Sequence, residues 1–132
     1  MTTSIAPTNV LLVAVGGFVG TFARYGIDVI VVSSLASTLV VNVVGSFALA
    51  TVFFGNQHGD LFGTRMTLLV ATGFLSSFTT YSTFVIDAVF ADPLIAGAYV
   101  MASYLLGFSA AMLGRLLGRR LRTNGQPLEG YH

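Results

Sequence analysis

The sequence contains no cysteine and no lysine, and only 8% of its 132 residues are charged. Without cysteine, neither a disulfide framework nor a thiolate metal site is possible. A soluble domain carries about 25% charged residues, so this chain has too few to cover a surface that faces water. Its net charge of +1 argues against nucleic acid as a partner. The solvent of this chain must be largely lipid.

Apolar residues make up 55% of the chain, and the mean hydropathy is +0.85. A membrane-spanning helix needs about 20 mostly apolar residues. We therefore predict an all-α membrane protein with one domain, 1–132, and a polar tail, 118–132. The four predicted spans are about 10–32, 35–55, 66–90 and 94–117. The first ten residues have no basic region, so we expect no cleaved signal peptide.

The third span contains the unusual stretch GFLSSFTTYSTF, residues 73–84, in which six of eight consecutive residues are serine or threonine. Such hydroxyls can bond back to carbonyls of their own helix, or they can favour a local break in it. Broken backbone at membrane depth must be buried in protein or line a wet cavity. Its free carbonyls can bind a cation, which predicts an ion site. The six residues are Ser76, Ser77, Thr79, Thr80, Ser82 and Thr83.

Other residues in the spans have two readings each. Phe74, Phe78 and Tyr81 recur at helical spacing, as in ordinary packing, but the positive edges of aromatic rings can also contact an anion. Asn42, in the middle of the second span, either joins helices or donates to a passing ion. Arg24 either anchors the first span at the interface or gives a vestibule a positive charge that attracts anions.

Three segments that follow one another along the spans carry a family resemblance: GGFVGTFARYGI, STLVVNVVGSF and TGFLSSFTTYSTFVID. They resemble the Fluc/CrcB family of microbial fluoride channels over roughly residues 12–115. The third segment is the most specific, because the family pattern is close to TGFxGGxTTFSTF with an acid three residues later. The matching residues are Thr72, Gly73, Phe74, Thr79, Thr80, Ser82, Thr83, Phe84 and Asp87.

The resemblance implies an antiparallel dimer with the third helix broken in mid-membrane and two narrow pores. Through these pores fluoride would leave the cell passively, without enzymatic chemistry, across the bacterial plasma membrane. It implies that main-chain carbonyls of Ser76 and Thr79 hold a structural, non-transported sodium ion, and that Arg24 lies in a vestibule. The implied pore residues are Asn42, Thr80, Tyr81, Ser82, Thr83, Phe84, Tyr104 and Ser109.

The sequence departs from the family pattern at two points. Ser76 and Ser77 replace a Gly-Gly pair, and Tyr81 replaces a phenylalanine. If the backbone there were left-handed, serine would cost roughly 1 kcal/mol or more relative to glycine. The sodium site would then be altered or partly lost.

Two other functions fit a small four-span chain. One is a proton-coupled drug exporter, which requires an acid near the membrane centre. The acids in the spans, Asp28 and Asp87, lie towards span ends. The other is a non-conducting membrane assembly subunit, which would leave the hydroxyl-rich stretch unexplained.

The arginines predict an orientation. Five of the six lie on the side of the membrane that holds both termini: Arg65, Arg115, Arg119, Arg120 and Arg122. Basic residues near span ends stay in the cytoplasm, so we expect cytoplasmic termini. One fixed orientation conflicts with an antiparallel homodimer. We therefore predict a heterodimer with a second homologous chain that is oppositely oriented.

Overall fold

The computed structural model describes residues 5–57 and 61–125 of the chain. All regular structure in these two ranges is helical, which confirms the predicted all-α class. The elements are α1 (Pro7–Ile30), α2 (Ser34–Gly55), α3 (Gly63–Thr67), a π-helical segment (Leu68–Leu75), α4 (Ser76–Phe78), α5 (Ser82–Phe90) and α6 (Pro93–Gly125). The elements from α3 to α5 together form the third span.

Four helical stretches in the described part of the chain are long and apolar enough to cross a membrane. They are Pro7–Ile30, Ser34–Gly55, Gly63–Phe90 and Pro93–Asn124. The first three agree with the predicted spans to within a few residues at each end. The fourth helix continues beyond the predicted end of its span, through Gly125. Its leucines and arginines are good helix formers, so the first part of the predicted polar tail is helical. Residues 126–132 lie outside the described ranges.

The helix boundaries follow from local sequence. Pro7 and Pro93 each occupy the first position of a helix, where the absence of an N–H costs nothing. At the start of α2, Ser33 caps the helix, and its Oγ accepts a hydrogen bond from the Ala36 N–H at 3.4 Å. The links between α1 and α2 and between α5 and α6 are only a few residues long. Consecutive spans are therefore antiparallel neighbours.

Two close helix pairs build the bundle, α2 against α6 and α1 against the π segment. Glycine makes both approaches possible. A Cβ at Gly20 would collide with the Phe74 carbonyl, and one at Gly114 would collide with the Phe47 carbonyl. Small residues at such contacts are characteristic of membrane helices.

The outside of the bundle is more apolar than the surface of a soluble protein, and its interior contains both apolar and hydroxyl-bearing side chains. Large apolar side chains point outwards, as Phe18 and Ile30 do with 74% and 78% of their surface exposed. Ser37, Thr38 and Thr80 are among the buried residues. An apolar outside and a hydroxyl-bearing inside suit a chain surrounded by lipid.

Candidate functional site

In the third span the Thr79 N–H still donates to the Leu75 carbonyl at 3.1 Å, but the helical hydrogen bonds are lost beyond it, and a new helix, α5, begins at Ser82. Thr79 is extended there, with φ −81° and ψ 159°. Asn42 on α2 holds the next residue from the side: its Nδ2 donates to the Thr80 carbonyl, and its Oδ1 accepts from the Thr80 N–H, both at 2.8 Å. In a continuous helix the Thr80 N–H would donate to the Ser76 carbonyl. Here it donates to Asn42 Oδ1 instead. The side chain of Asn42 takes the place of a missing helical turn.

The hydroxyls before the interruption bond within their own helix. Ser76 Oγ donates to the Thr72 and Gly73 carbonyls, the second at 3.1 Å. Thr79 Oγ1 donates to the Leu75 carbonyl at 3.1 Å. These contacts match the self-satisfied reading of the sequence.

The hydroxyls after the interruption bond to one another and to another helix. Thr80 Oγ1 donates to Thr83 Oγ1 at 3.1 Å and accepts from the Thr83 N–H at 3.2 Å. Ser82 Oγ lies 3.4 Å from Thr80 Oγ1. Arg24 Nη2 on α1 donates to Thr83 Oγ1 at 2.6 Å. A continuous polar chain therefore runs from Asn42 through α5 to Arg24.

The backbone at Ser76 differs from one expectation. Ser76 is right-handed helical, with φ −65° and ψ −28°. Within residues 5–57 and 61–125, no residue other than glycine has a positive φ. The expected cost of a left-handed serine is therefore not incurred. Serine replaces glycine here without backbone strain.

Two carboxylates lie at the end of the bundle that holds the short links. Asp28 accepts a hydrogen bond from Ser37, and its Oδ2 lies 3.9 Å from Arg24 Nε. Asp87 accepts from Ser34 and Thr38 at 2.7 and 2.9 Å. The first two turns of α2 thus supply hydroxyl donors to both acids. Through Arg24, Asp28 is joined to the polar chain that starts at Asn42.

An aromatic cluster surrounds Phe84. Its ring centroid lies 5.9 Å from that of Tyr81, 5.3 Å from that of Tyr99 and 6.1 Å from that of Tyr104. The Tyr104 ring stands nearly perpendicular to it, at 85°. Tyr81 is 72% exposed. The earlier pair, Phe74 and Phe78, stacks separately before the interruption.

Two open cavities meet at Asn42. One, of about 300 Å³, lies between α2, α5 and α6. The other, of about 320 Å³, lies between α2 and the third span and includes Ser76 and Thr79. Asn42, Ser46 and Tyr81 line both cavities. Tyr81 therefore stands where the two cavities adjoin.

On α6 the structure separates the two predicted pore residues. Tyr104 lines the first cavity, whereas the exposed Ser109 bonds its own helix at the Leu105 carbonyl, 2.7 Å away. Sequence reasoning missed Ser103, which lines the first cavity, and Tyr99, which is 6% exposed. In the described part of the chain, Ser103 Oγ is buried without a hydrogen-bond partner, and the buried Tyr99 hydroxyl lies beside Thr38. Tyr99 and Ser103 are four residues apart and therefore share one face of α6, and this spacing could have identified them from the sequence.

Four apolar spans around a line of amide, hydroxyl and guanidinium groups define a small multi-pass membrane protein with a polar path along its inner groove. A family model described as "CrcB-like protein, Camphor Resistance (CrcB)" matches residues 11–115. The chain belongs to this CrcB-like family. The match confirms the family to which the three sequence segments pointed.

Several curated proteins are similar over most of the chain. A "Fluoride-specific ion channel FluC 1" from Natronomonas pharaonis is 44% identical over 83% of this chain and 92% of its own length. Another protein of that name, from Haloarcula marismortui, is 44% identical over 89% of this chain and 91% of its own length. "Fluoride-specific ion channel FluC" from Oceanobacillus iheyensis is 34% identical over 80% of this chain and 88% of its own length.

Proposed function

We propose that this chain forms a passive, fluoride-selective channel that exports fluoride from the cell. The observation that carries the proposal is the 44% identity to fluoride-specific ion channels across more than nine-tenths of their length. The protein is accordingly a channel and not an enzyme. It acts as a multi-pass protein of the plasma membrane.

The polar groups around Asn42 suit a small, strongly hydrated anion. Such an ion leaves water only where donors replace its hydration shell. One Asn42 N–H bonds to Thr80, and the second hydrogen of the same NH2 group is available to an anion. The hydroxyls of Ser103 and Tyr104 line the same cavity as Asn42 and provide further donors. The hydroxyls of Thr80, Ser82 and Thr83 lie within hydrogen-bond distance of one another, and in the proposed pathway they form its polar wall on the α5 side.

The aromatic cluster supplies weaker contacts for the same anion. Ring edges carry partial positive charge, and the Phe84, Tyr81 and Tyr104 rings border the cavity that Asn42 lines. Edge contacts stabilise fluoride without holding it tightly, which conduction requires. Ser109, outside both cavities, would contribute only where a partner chain approaches.

Arg24 is the proposed vestibule charge. Its guanidinium is held by Thr83 and lies near Asp28, so it is fixed in place instead of extending freely to the interface. A fixed positive charge at the entrance raises the local anion concentration. Asp28 offsets part of that charge.

The pathway needs a second chain. Both cavities are open on the side where Tyr81 is 72% exposed, so one chain alone leaves the donors facing lipid. An inverted partner would close them and complete an antiparallel dimer. The third span, interrupted at Thr79, would then lie at mid-membrane depth.

The partner should be a second homologous chain. Arg65 and the four arginines of α6 lie at the end of the bundle that holds the chain termini, whereas Arg24 lies towards the end that holds the short links. Such a bias favours one orientation with cytoplasmic termini. An oppositely oriented homologue would supply the other half of the dimer.

The heterodimer is tested by topology and by activity. Reporter proteins fused to the C-terminus should be detected only in the cytoplasm. Full fluoride efflux from the lone chain would contradict the heterodimer.

A structural sodium ion suits the interruption in the third span. The N–H groups four residues beyond Ser76 and Thr79 bond instead to Asn42 Oδ1 and Thr80 Oγ1. The two carbonyls are therefore available to a cation, which a partner's carbonyls would help to coordinate. The ion would offset part of the desolvation cost of fluoride.

The sodium site is tested by replacing Ser76. Ser76→Gly keeps the carbonyl and should keep sodium dependence, whereas Ser76→Val crowds the turn and should weaken it. Fluoride efflux is measured in sodium and in a large organic cation. Equal efflux in the two media would remove the sodium site from the proposal.

The channel itself is tested by fluoride efflux from liposomes. The purified chain is reconstituted with and without a co-expressed homologue, and efflux is followed with a fluoride electrode. We expect a passive leak of fluoride that chloride does not share. Efflux driven only by a proton gradient would indicate the exporter, and no leak in any combination would indicate a non-conducting assembly subunit.

A further inference from the structure

The last turns of α6 extend beyond the thickness of a bilayer. The helix has 33 residues, and at 1.5 Å per residue it is about 50 Å long, against about 30 Å for the hydrocarbon layer. Arg115 is its first charged residue after the apolar stretch that begins at Leu94. Arg119 and Arg120 follow about 6 to 8 Å further along the axis. That distance places them in the headgroup layer.

Phe54 at the end of α2 orders two of these arginines. The Arg115 Cζ lies 5.3 Å, and the Arg119 Cζ 5.8 Å, from the centre of the Phe54 ring. A guanidinium stacked on a ring keeps the N–H groups along its edges free for hydrogen bonding. These two side chains therefore lose little conformational freedom when they bind an anion.

A surface hollow beside this stack collects donors. It is lined by Arg119, Arg120, Thr123 and Asn124, and all four are exposed. The Thr123 hydroxyl donates to the Arg119 carbonyl at 3.0 Å, which fixes that edge of the hollow. The guanidinium groups and the Asn124 amide remain as donors. We call these four residues the arginine hollow.

Negative charge lies elsewhere among the described residues. The acids there are Asp28, Asp87 and Asp92, and they are at the opposite end of the bundle, near the short links. Within ranges 5–57 and 61–125, the arginine hollow therefore has no acid at its own end of the bundle.

We propose that the arginine hollow binds the phosphodiester headgroup of an anionic lipid, in the leaflet that faces the chain termini. Planar guanidinium edges pair with phosphate oxygens in a bidentate manner. Depth favours lipid over free phosphate, because Arg119 and Arg120 lie at the level of the headgroups. The hollow is also open on its outer side, as a headgroup tethered to an acyl chain requires.

The test is native mass spectrometry of the full chain, with its partner where one is needed, in micelles that contain phosphatidylglycerol or phosphatidylcholine. We expect the wild-type protein to retain phosphatidylglycerol preferentially. Arg119→Gln and Arg120→Gln should each lower that retention about fivefold, as expected for one arginine at a membrane surface. Phe54→Leu keeps both charges and removes the ring, so it should lower retention about twofold.

The matched control is Arg65→Gln, which removes one exposed arginine from α3 at the same end of the bundle. It should leave retention unchanged. Equal loss in Arg65→Gln and Arg119→Gln, or equal retention of the two lipids by wild type, would overturn the proposal. Displacement of phosphatidylglycerol by millimolar inorganic phosphate would do the same, by assigning the hollow to a free anion. No fluoride is present, so the result is independent of channel activity.

Discussion

The two halves of the third span use the same residue types for different purposes. Before the interruption, the hydroxyls of Ser76 and Thr79 return to carbonyls of their own helix, and glycines of α1 pack against the backbone. After it, Thr80 and Thr83 bond to each other, and Thr83 accepts from Arg24. Within this span, hydroxyls in reach of a local carbonyl bond back to their own helix, and those beyond the interruption join the polar chain.

The largest effect should follow from breaking the contact that separates the halves. Asn42→Asp keeps an acceptor for the Thr80 N–H but places negative oxygen beside the Thr80 carbonyl and beside any anion. We expect fluoride efflux to fall about 100-fold, since an unpaired buried polar group costs about 1–3 kcal/mol, and more if charged. Size-exclusion chromatography checks assembly alongside liposome efflux.

The control for Asn42 is a second asparagine outside the site. Asn56 Nδ2 donates to Thr67 Oγ1 at 2.6 Å, at the end of α2. Asn56→Asp makes the same chemical change there and should alter efflux less than twofold. Similar losses in both variants would mean that the added charge, and not the contact with Thr80, causes the defect.

The next effect concerns packing of the first half. Gly20→Ala brings a methyl group against the Phe74 carbonyl and should destabilise the protein by about 1–3 kcal/mol. Gly26→Ala is the matched control, because nothing lies within 4 Å of its new Cβ. Thermal unfolding in detergent should show a lower midpoint for Gly20→Ala only. Equal midpoints would contradict the close packing of α1 on the π segment.

A smaller effect should appear in the aromatic cluster of the second half. Phe84→Ile removes ring edges from the cavity and should lower efflux about tenfold, comparable to the loss of one aromatic contact. Phe18→Ile changes an exposed ring on α1 and should leave efflux unchanged. Wild-type efflux in Phe84→Ile would exclude this ring from the pathway.

The smallest effects compare hydroxyls directly. Thr83→Val removes the acceptor of Arg24 and should lower efflux about threefold, within the range of about 0.5–1.5 kcal/mol for a typical intramolecular hydrogen bond. Ser76→Ala removes a hydroxyl that serves only its own helix, so we expect a change of less than about 1.5-fold. Efflux and its dependence on ionic strength are measured for both. A larger loss in Ser76→Ala would reverse the distinction between the halves.

The sequence predicts the spans because hydropathy and length decide them. It also predicts where the third span changes character, since six hydroxyls occur in eight residues. The back-bonding of Ser76 and Thr79 was one of the two readings of the sequence, but the contact that holds the interruption open was beyond sequence reasoning, because Asn42 is 38 residues away from Thr80. The π-helical turns at Leu68–Leu75 were missed for a similar reason. Apolar spacing does not reveal a change in hydrogen-bond register.

The choice on α6 depended on helix phase. Ser103 and Tyr104 line the cavity together with Gly107, whereas Ser109 lies six residues beyond Ser103. At 3.6 residues per turn, that spacing turns the side chain to another face. The family resemblance was the basis for predicting Ser109, and residue type cannot distinguish it from Ser103, which is also a serine. The face shared with Tyr99 and Gly107 would have favoured Ser103.

The contact between Asn42 and Thr80 also has a consequence for the order of folding. Membrane helices insert first and associate afterwards, and before α2 meets the third span no side chain is available to hold Thr80. We therefore expect the third span to enter the bilayer as a continuous helix and to open only during association. Crosslinking of Thr80 to lipid in stalled nascent chains would monitor that step. The crosslink should form before α2 docks and disappear afterwards. In this protein the polar path would be a late product of folding, created by the meeting of two helices.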